Sequence, residues 1–183
     1  MTRSSLFQPA LWTILAAALA GVGCSASADI PEVVVTQTDV GFDGVPRVPG
    51  VTDVTTSLET QFDHPSGMEL PDFLDPELHP LSAQVTARGT MEDLAFIETL
   101  TLTLTSRSPD APPPRVVASY ERPSTGAAGK VITLHTDRDS DVLKYWGKEG
   151  AFYDLEVSGI LPQDHWAVDV SFSFSGHLSI SSN

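Results

Sequence analysis

The sequence predicts an all-β fold, an antiparallel two-sheet β-sandwich of Ig-like or jelly-roll-like kind with about eight or nine strands and one short helix. Three observations carry this. First, most apolar stretches alternate with period two, and residues 166–180 do so best. Trp166, Val168, Val170, Phe172, Phe174, Leu178 and Ile180 fall on one face, and Ala167, Asp169, Ser171, Ser173, Ser175, His177 and Ser179 on the other. Second, Gly- and Pro-rich turns separate these stretches with no recurring helical crossover, so neighbouring strands run antiparallel with one wet face. Third, the one cysteine of the 183 residues is Cys24, so no disulfide can staple the rest. A single hydrophobic core must hold residues 30–183 as one domain. The Cys…Trp…Cys hallmark of immunoglobulin domains is absent. Proline-rich loops and the lack of aromatic girdles argue against an outer-membrane barrel.

Along the chain, the valine-rich residues 30–38 read as a first strand, and Gly41, Gly44, Pro46, Pro49 and Gly50 mark a loop. Residues 54–62 alternate cleanly. Residues 63–80 hold four prolines and five acids without Lys or Arg, and read as a long loop with a short helical turn near 71–74. Residues 81–88 alternate again. In residues 96–106, Leu100, Leu102 and Leu104 oppose Thr99, Thr101, Thr103 and Thr105. Strict register would bury Glu98, and burying an unpaired carboxylate is costly. A β-bulge at 98–99, turning Ala95 and Ile97 inward, is therefore expected. Residues 116–121, 131–135 and 152–159 are further strands. Residues 141–147 form the one helical patch, capped by Asp141 and stopped by Gly147 or Gly150. Residues 166–180 would run about 50 Å, long for one strand, with Gly176 the natural place for a bulge or bend.

The N-terminus has a separate logic. Arg3 supplies a positive start, residues 10–22 (ALWTILAAALAGV) an uncharged apolar core, and Gly23 to Ala28 a small-residue end. That order is the order of a secretory signal peptide, and the core falls short of the roughly 20 residues that span a bilayer. Val22-Gly23-Cys24 resembles the end of a bacterial lipoprotein signal, although Gly21 stands where such signals carry an aliphatic residue. The resemblance covers residues 1–25 and concerns targeting alone. It implies a signal peptide over 1–23, lipidation of Cys24 and a tether over 24–29. Ala26-Ser27-Ala28 offers a rival cut that would make 1–28 the signal peptide and release a soluble periplasmic or extracellular protein starting at Asp29.

All 24 acidic residues lie after residue 28, against nine remaining Lys and Arg, so the exported chain carries 9 − 24 = −15. Such a surface repels nucleic acid, which is excluded as a partner.

Few motifs suggest chemistry. Asp137, Asp139 and Asp141 space three carboxylates by two and could ligate calcium on a turn, but Val142 and Lys148 occupy the positions where an EF-hand needs Gly and Glu. Calcium is thus the one conceivable cofactor. His64 and His79 sit among acids at spacings that match no zinc motif. Gly126, Gly129 and Lys130 lack the Walker spacing and read as a hairpin turn. Tyr145 and Trp146, on the short helix, are candidates for an exposed platform that stacks on a sugar or anchors a protein. No Gly-x-Ser-x-Gly or His-Glu-x-x-His motif occurs. The expectation is a non-enzymatic exported protein, held to the membrane through an N-terminal lipid, that serves as an envelope interaction or structural module. Its partner would be an unidentified protein or glycan. The alternatives are a carbohydrate- or calcium-binding module and, behind it, a secreted hydrolase whose site is assembled in space.

Overall fold

The computed structural model describes residues 27–62, 74–107, 112–124, 128–147 and 150–180. Nine strands follow in chain order: β1 Ser27–Phe42, β2 Val54–Phe62, β3 Leu74–Ala87, β4 Ile97–Thr105, β5 Arg115–Glu121, β6 Val131–Thr136, β7 Trp146–Gly147, β8 Gly150–Gly159 and β9 Trp166–Ile180. The helix expected over 141–147 is a single 3-10 turn, Leu143–Tyr145. All strand pairs are antiparallel.

The all-β antiparallel expectation holds, but the strands do not divide into two separate sheets. Eight of them form one path, β1-β9-β3-β6-β5-β4-β8-β2, with β7 paired to β8. The path curls until its outermost strands meet. There Gln37 on β1 donates through Nε2 to Thr60 Oγ1 on β2 at 2.5 Å and accepts the Tyr153 hydroxyl of β8 at 2.9 Å. The sheet is thus nearly closed, and side chains rather than a backbone ladder make the closure. The weakest backbone joint is β5 to β6, which share only Ala118↔Thr136 and Ser119↔His135.

Inward residues of all eight strands fill the interior. Phe62 stacks on Tyr153 with ring centroids 4.3 Å apart, and Phe172 meets Phe174 edge-on at 4.4 Å. Leu100, Leu102, Leu104, Leu155, Val168 and Val170 are fully buried around them. This is the apolar set that the alternation marks out, and its burial is the main favourable term in folding.

Three local features depart from simple alternation. The bulge expected at Glu98 is present: Ile97 faces Gly159 while Thr99 faces Ser158, leaving Glu98 as the extra residue. Its carboxylate pairs with Arg122 at 2.8 Å, and Arg122 also donates to the carbonyls of Ala95 and Ile97. Opposite the bulge the backbones come very close. A Cβ on Gly159 would lie 2.1 Å from the Phe96 carbonyl oxygen, and Gly159 has φ +142°, so only glycine fits.

β9, in contrast, is one continuous strand through Gly176. Its partners absorb the irregularity, with shifts in β1 between Ile30/Val33 and Gln37/Val40, and in β3 between Pro80/Ser82. Asp39, at φ 66°, occupies the second β1 bulge and donates its N–H to Asp169 Oδ1.

β3 corrects the reading of residues 74–80 as loop. That stretch pairs with β9, whereas β6 reaches only Ala83 to Thr86. The first half of β3 is therefore an edge on its other side. Leu78 turns its N–H and C=O to that side, donating to Asp141 Oδ1 at 3.2 Å and accepting from Val142 N–H at 2.8 Å. Pro76 and Pro80 share the phase of Leu78, so their missing N–H groups cost the β9 ladder nothing.

Strand direction sorts the connections into two ends. The β1–β2, β3–β4, β5–β6 and β8–β9 connections lie at one end. The start of β1, the start of β3 and the end of β9 lie at the other.

Candidate functional site

Where β5 and β6 part, a shallow surface cleft of roughly 660 Å³ opens, with Leu81 and Ser82 of β3 along one margin. Cross-strand register sets Ser119 beside His135 within it. Asp137 lies two residues beyond His135 on the same lining, and Val116 adds exposed apolar surface. A serine, a histidine and an aspartate thus share one cleft. Sequence reasoning did not find this set, because only the long-range pairing of β5 with β6 brings it together.

The hydrogen bonds do not link the three. The Ser119 and His135 side chains are exposed and make no hydrogen bond to each other. Asp137 Oδ2 accepts from Ser140 Oγ at 2.6 Å and from Arg115 Nη2 at 2.9 Å, and Oδ1 accepts from the Asp139 N–H at 3.3 Å. The Ser140 hydrogen bond, then the Arg115 guanidinium, hold its carboxyl below the usual carboxylate range. The Asp137 carboxylate is thus already taken up and does not orient His135. Arg138 also borders the cleft and makes a long contact to the Leu81 carbonyl.

The three aspartates considered for calcium have different partners. Asp137 anchors the turn as described. Asp139 is exposed. Asp141 Oδ1 accepts the N–H groups of Leu143 at 3.0 Å and Leu78 at 3.2 Å, tying the 3-10 turn to β3, while Val142 stands at the N-cap of the turn. Among the described residues, no three His, Cys, Asp or Glu side chains gather as a metal site.

The exposed aromatic platform at Tyr145 and Trp146 is corrected in part. The ties from Asp141 and Val142 to Leu78 hold the turn against β3, so Tyr145 points inward, 2% exposed. Its hydroxyl donates to the Pro113 carbonyl at 2.8 Å. Trp146 is half-buried and meets Phe174 edge-on at 5.1 Å, and its Nε1 is buried without a hydrogen-bond partner. The two rings form no common exposed face.

Cys24 and His64 lie outside the described residues. The stretch assigned to a tether, 24–29, overlaps β1, which starts at Ser27. Asp29 Oδ1 lies 3.1 Å from His177 Nδ1 of β9, and His79 Nε2 lies 3.4 Å from Glu77 Oε2 of the same strand. No helix among the described residues is long and apolar enough to cross a membrane.

No family model and no curated protein matches this chain. Two solved structures are similar to it at low scores. The decameric BFDV capsid protein is 10% identical, with a TM-score of 0.42 over 82% of this chain and 99% of that one. A bacterial lipoprotein from Bacteroides thetaiotaomicron is 13% identical, with a TM-score of 0.35 over 84% of this chain and 96% of that one. Likenesses at these scores carry no argument.

Proposed function

We propose that the protein is exported, lipidated at Cys24, and serves in the cell envelope as a non-enzymatic β module that binds a partner or forms part of an assembly. The observation that carries this is the N-terminal order of Arg3, the apolar residues 10–22 and Gly23-Cys24, with Cys24 the one cysteine of the chain. A diacylglycerol and an amide-linked acyl chain on Cys24 together suffice for stable anchoring. The start of β1 at Ser27 supports the same reading, since the folded domain begins directly behind the lipidation site. The commitment of Asp137 to Arg115 and Ser140 supports a non-enzymatic role, since the serine and histidine of the cleft lack an orienting carboxylate. No cofactor is part of the proposal.

The test is metabolic labelling with palmitate and the mass of the mature protein. Label incorporation, its loss in Cys24→Ala, and accumulation of precursor under globomycin are the expected results. An unlabelled mature protein beginning at Asp29 refutes the anchor.

A further inference from the structure

We infer that the anchored domain stands end-on to the membrane, with its acidic N-terminal end against the lipid and its apolar loop end held away from it. The inference rests on lipidation at Cys24. Two residues, Ser25 and Ala26, separate Cys24 from Ser27, and the three steps along the chain reach at most about 11 Å, so the end of the sheet holding the start of β1 must lie close to the headgroups. From there β1 runs away from the lipid beside β9, paired from Ser27↔Ser179 to Phe42↔Trp166. Fifteen residues of β9 at roughly 3.3 Å each, tilted by about 40°, put the far end some 35–40 Å higher.

The charge and apolar distributions agree with that posture. The membrane-proximal tip of β1, β3 and β9 carries Asp29, Glu77, His79 and His177, with Lys144 on the 3-10 turn tied to Leu78, a set without the cluster of basic residues that binds anionic headgroups. The β2–β8 side offers no better contact. The outer face of β2 and β8 sets Glu59 directly opposite Asp154, with Glu156 beside them and Arg107 paired to Glu59. On that side the carboxylates outnumber the one arginine, which Glu59 already pairs, so it is not drawn flat onto an anionic bilayer. Six large apolar residues are well exposed among the described residues, and four of them, Val48, Val51, Val131 and Ile160, belong to the far end. They are the surface that end-on anchoring presents to the compartment.

The experiment uses the full lipidated chain in vesicles of phosphatidylethanolamine and phosphatidylglycerol. Cys24 is acylated, so a single new thiol can be labelled specifically. Ser175→Cys places a donor fluorophore near the membrane end, with His177→Cys as a second probe there, and Ile160→Cys places one at the loop end. The readout is energy transfer to an acceptor lipid, after flotation has shown that the protein is on the vesicles. The expected result is transfer at 175 and 177 at least about fourfold above that at 160, given the added height of roughly 23–28 Å over the nine to eleven residues of β9 between them. Floated protein with equal transfer at both ends overturns the orientation and leaves the anchor standing. Protein that does not float overturns the anchor and the orientation with it.

Discussion

Gln37 closes the sheet, and removing its amide should open the seam. Its Oε1 is the acceptor for the Tyr153 hydroxyl at 2.9 Å, and its Nε2 donates to Thr60 Oγ1 at 2.5 Å. Tyr153 is fully buried, and burial pushes its ionisation up. Gln37→Leu keeps most of the side-chain volume but leaves that hydroxyl with neither protein nor water as partner. An orphaned buried hydroxyl costs about 1–3 kcal/mol, and the Thr60 bond adds about 0.5–1 kcal/mol, so a loss of about 2–4 kcal/mol is expected. At about 2–4 °C per kcal/mol for a domain of this size, the melting temperature should fall by roughly 4–15 °C. Urea unfolding followed by tryptophan fluorescence measures the difference. Tyr153→Phe removes the orphan, so the double variant Gln37→Leu/Tyr153→Phe should recover about 1–2 kcal/mol relative to additivity. Amide exchange should also speed up in β1 and β2 ahead of β4. A change below about 0.5 kcal/mol, or strict additivity in the cycle, would refute the view that this amide holds the edges together.

Other perturbations follow from the same contacts. Gly159→Ala forces a methyl to 2.1 Å from the Phe96 carbonyl and should destabilise by about 2–4 kcal/mol, with nuclear magnetic resonance shifts concentrated at 95–99 if the bulge is the element that yields. Asp137→Ala removes the acceptor of Ser140, a fully buried hydroxyl, and should cost about 1–3 kcal/mol by denaturant melts. That loss should be the same with calcium or with chelator, and a calcium-dependent difference would instead show that these carboxylates hold a cation. Because the Tyr153 ionisation is raised in the folded state, its contribution is present below the ordinary tyrosine value near 10 and is lost as pH rises above it. Alkaline unfolding should therefore set in above about pH 10 and be blunted in Tyr153→Phe.

Much of the strand plan was open to local reasoning because strand burial repeats every two residues. Residues 54–62 and 166–180 show their inward faces in composition alone. The Glu98 bulge was legible for a related reason, since a carboxylate in the phase of Leu100, Leu102 and Leu104 has to be displaced. Proline in 74–80 misled the same reasoning. Whether a proline disrupts a strand depends on which side of it has a partner, and β6 stops short of Pro76 and Pro80. Gly176 suggested a bulge or bend, and a bulge does lie there, but its extra residue is in β1, opposite Gly176 and Phe174, rather than in β9.

By itself, then, the sequence determined the all-β class, the alternating core, the absence of disulfides after Cys24 and the three-part N-terminus, because each depends on residue type and short-range spacing. Tertiary structure alone decided that the strands make one nearly closed path, that Gln37 joins its edges, that Tyr145 turns inward and that Ser119 meets His135. Each of these depends on register between residues far apart in the chain: sixteen residues separate Ser119 from His135, and 116 separate Gln37 from Tyr153. Local patterning says which face of a strand is buried, and only the paired partner says what that face, or the edge beside it, will touch.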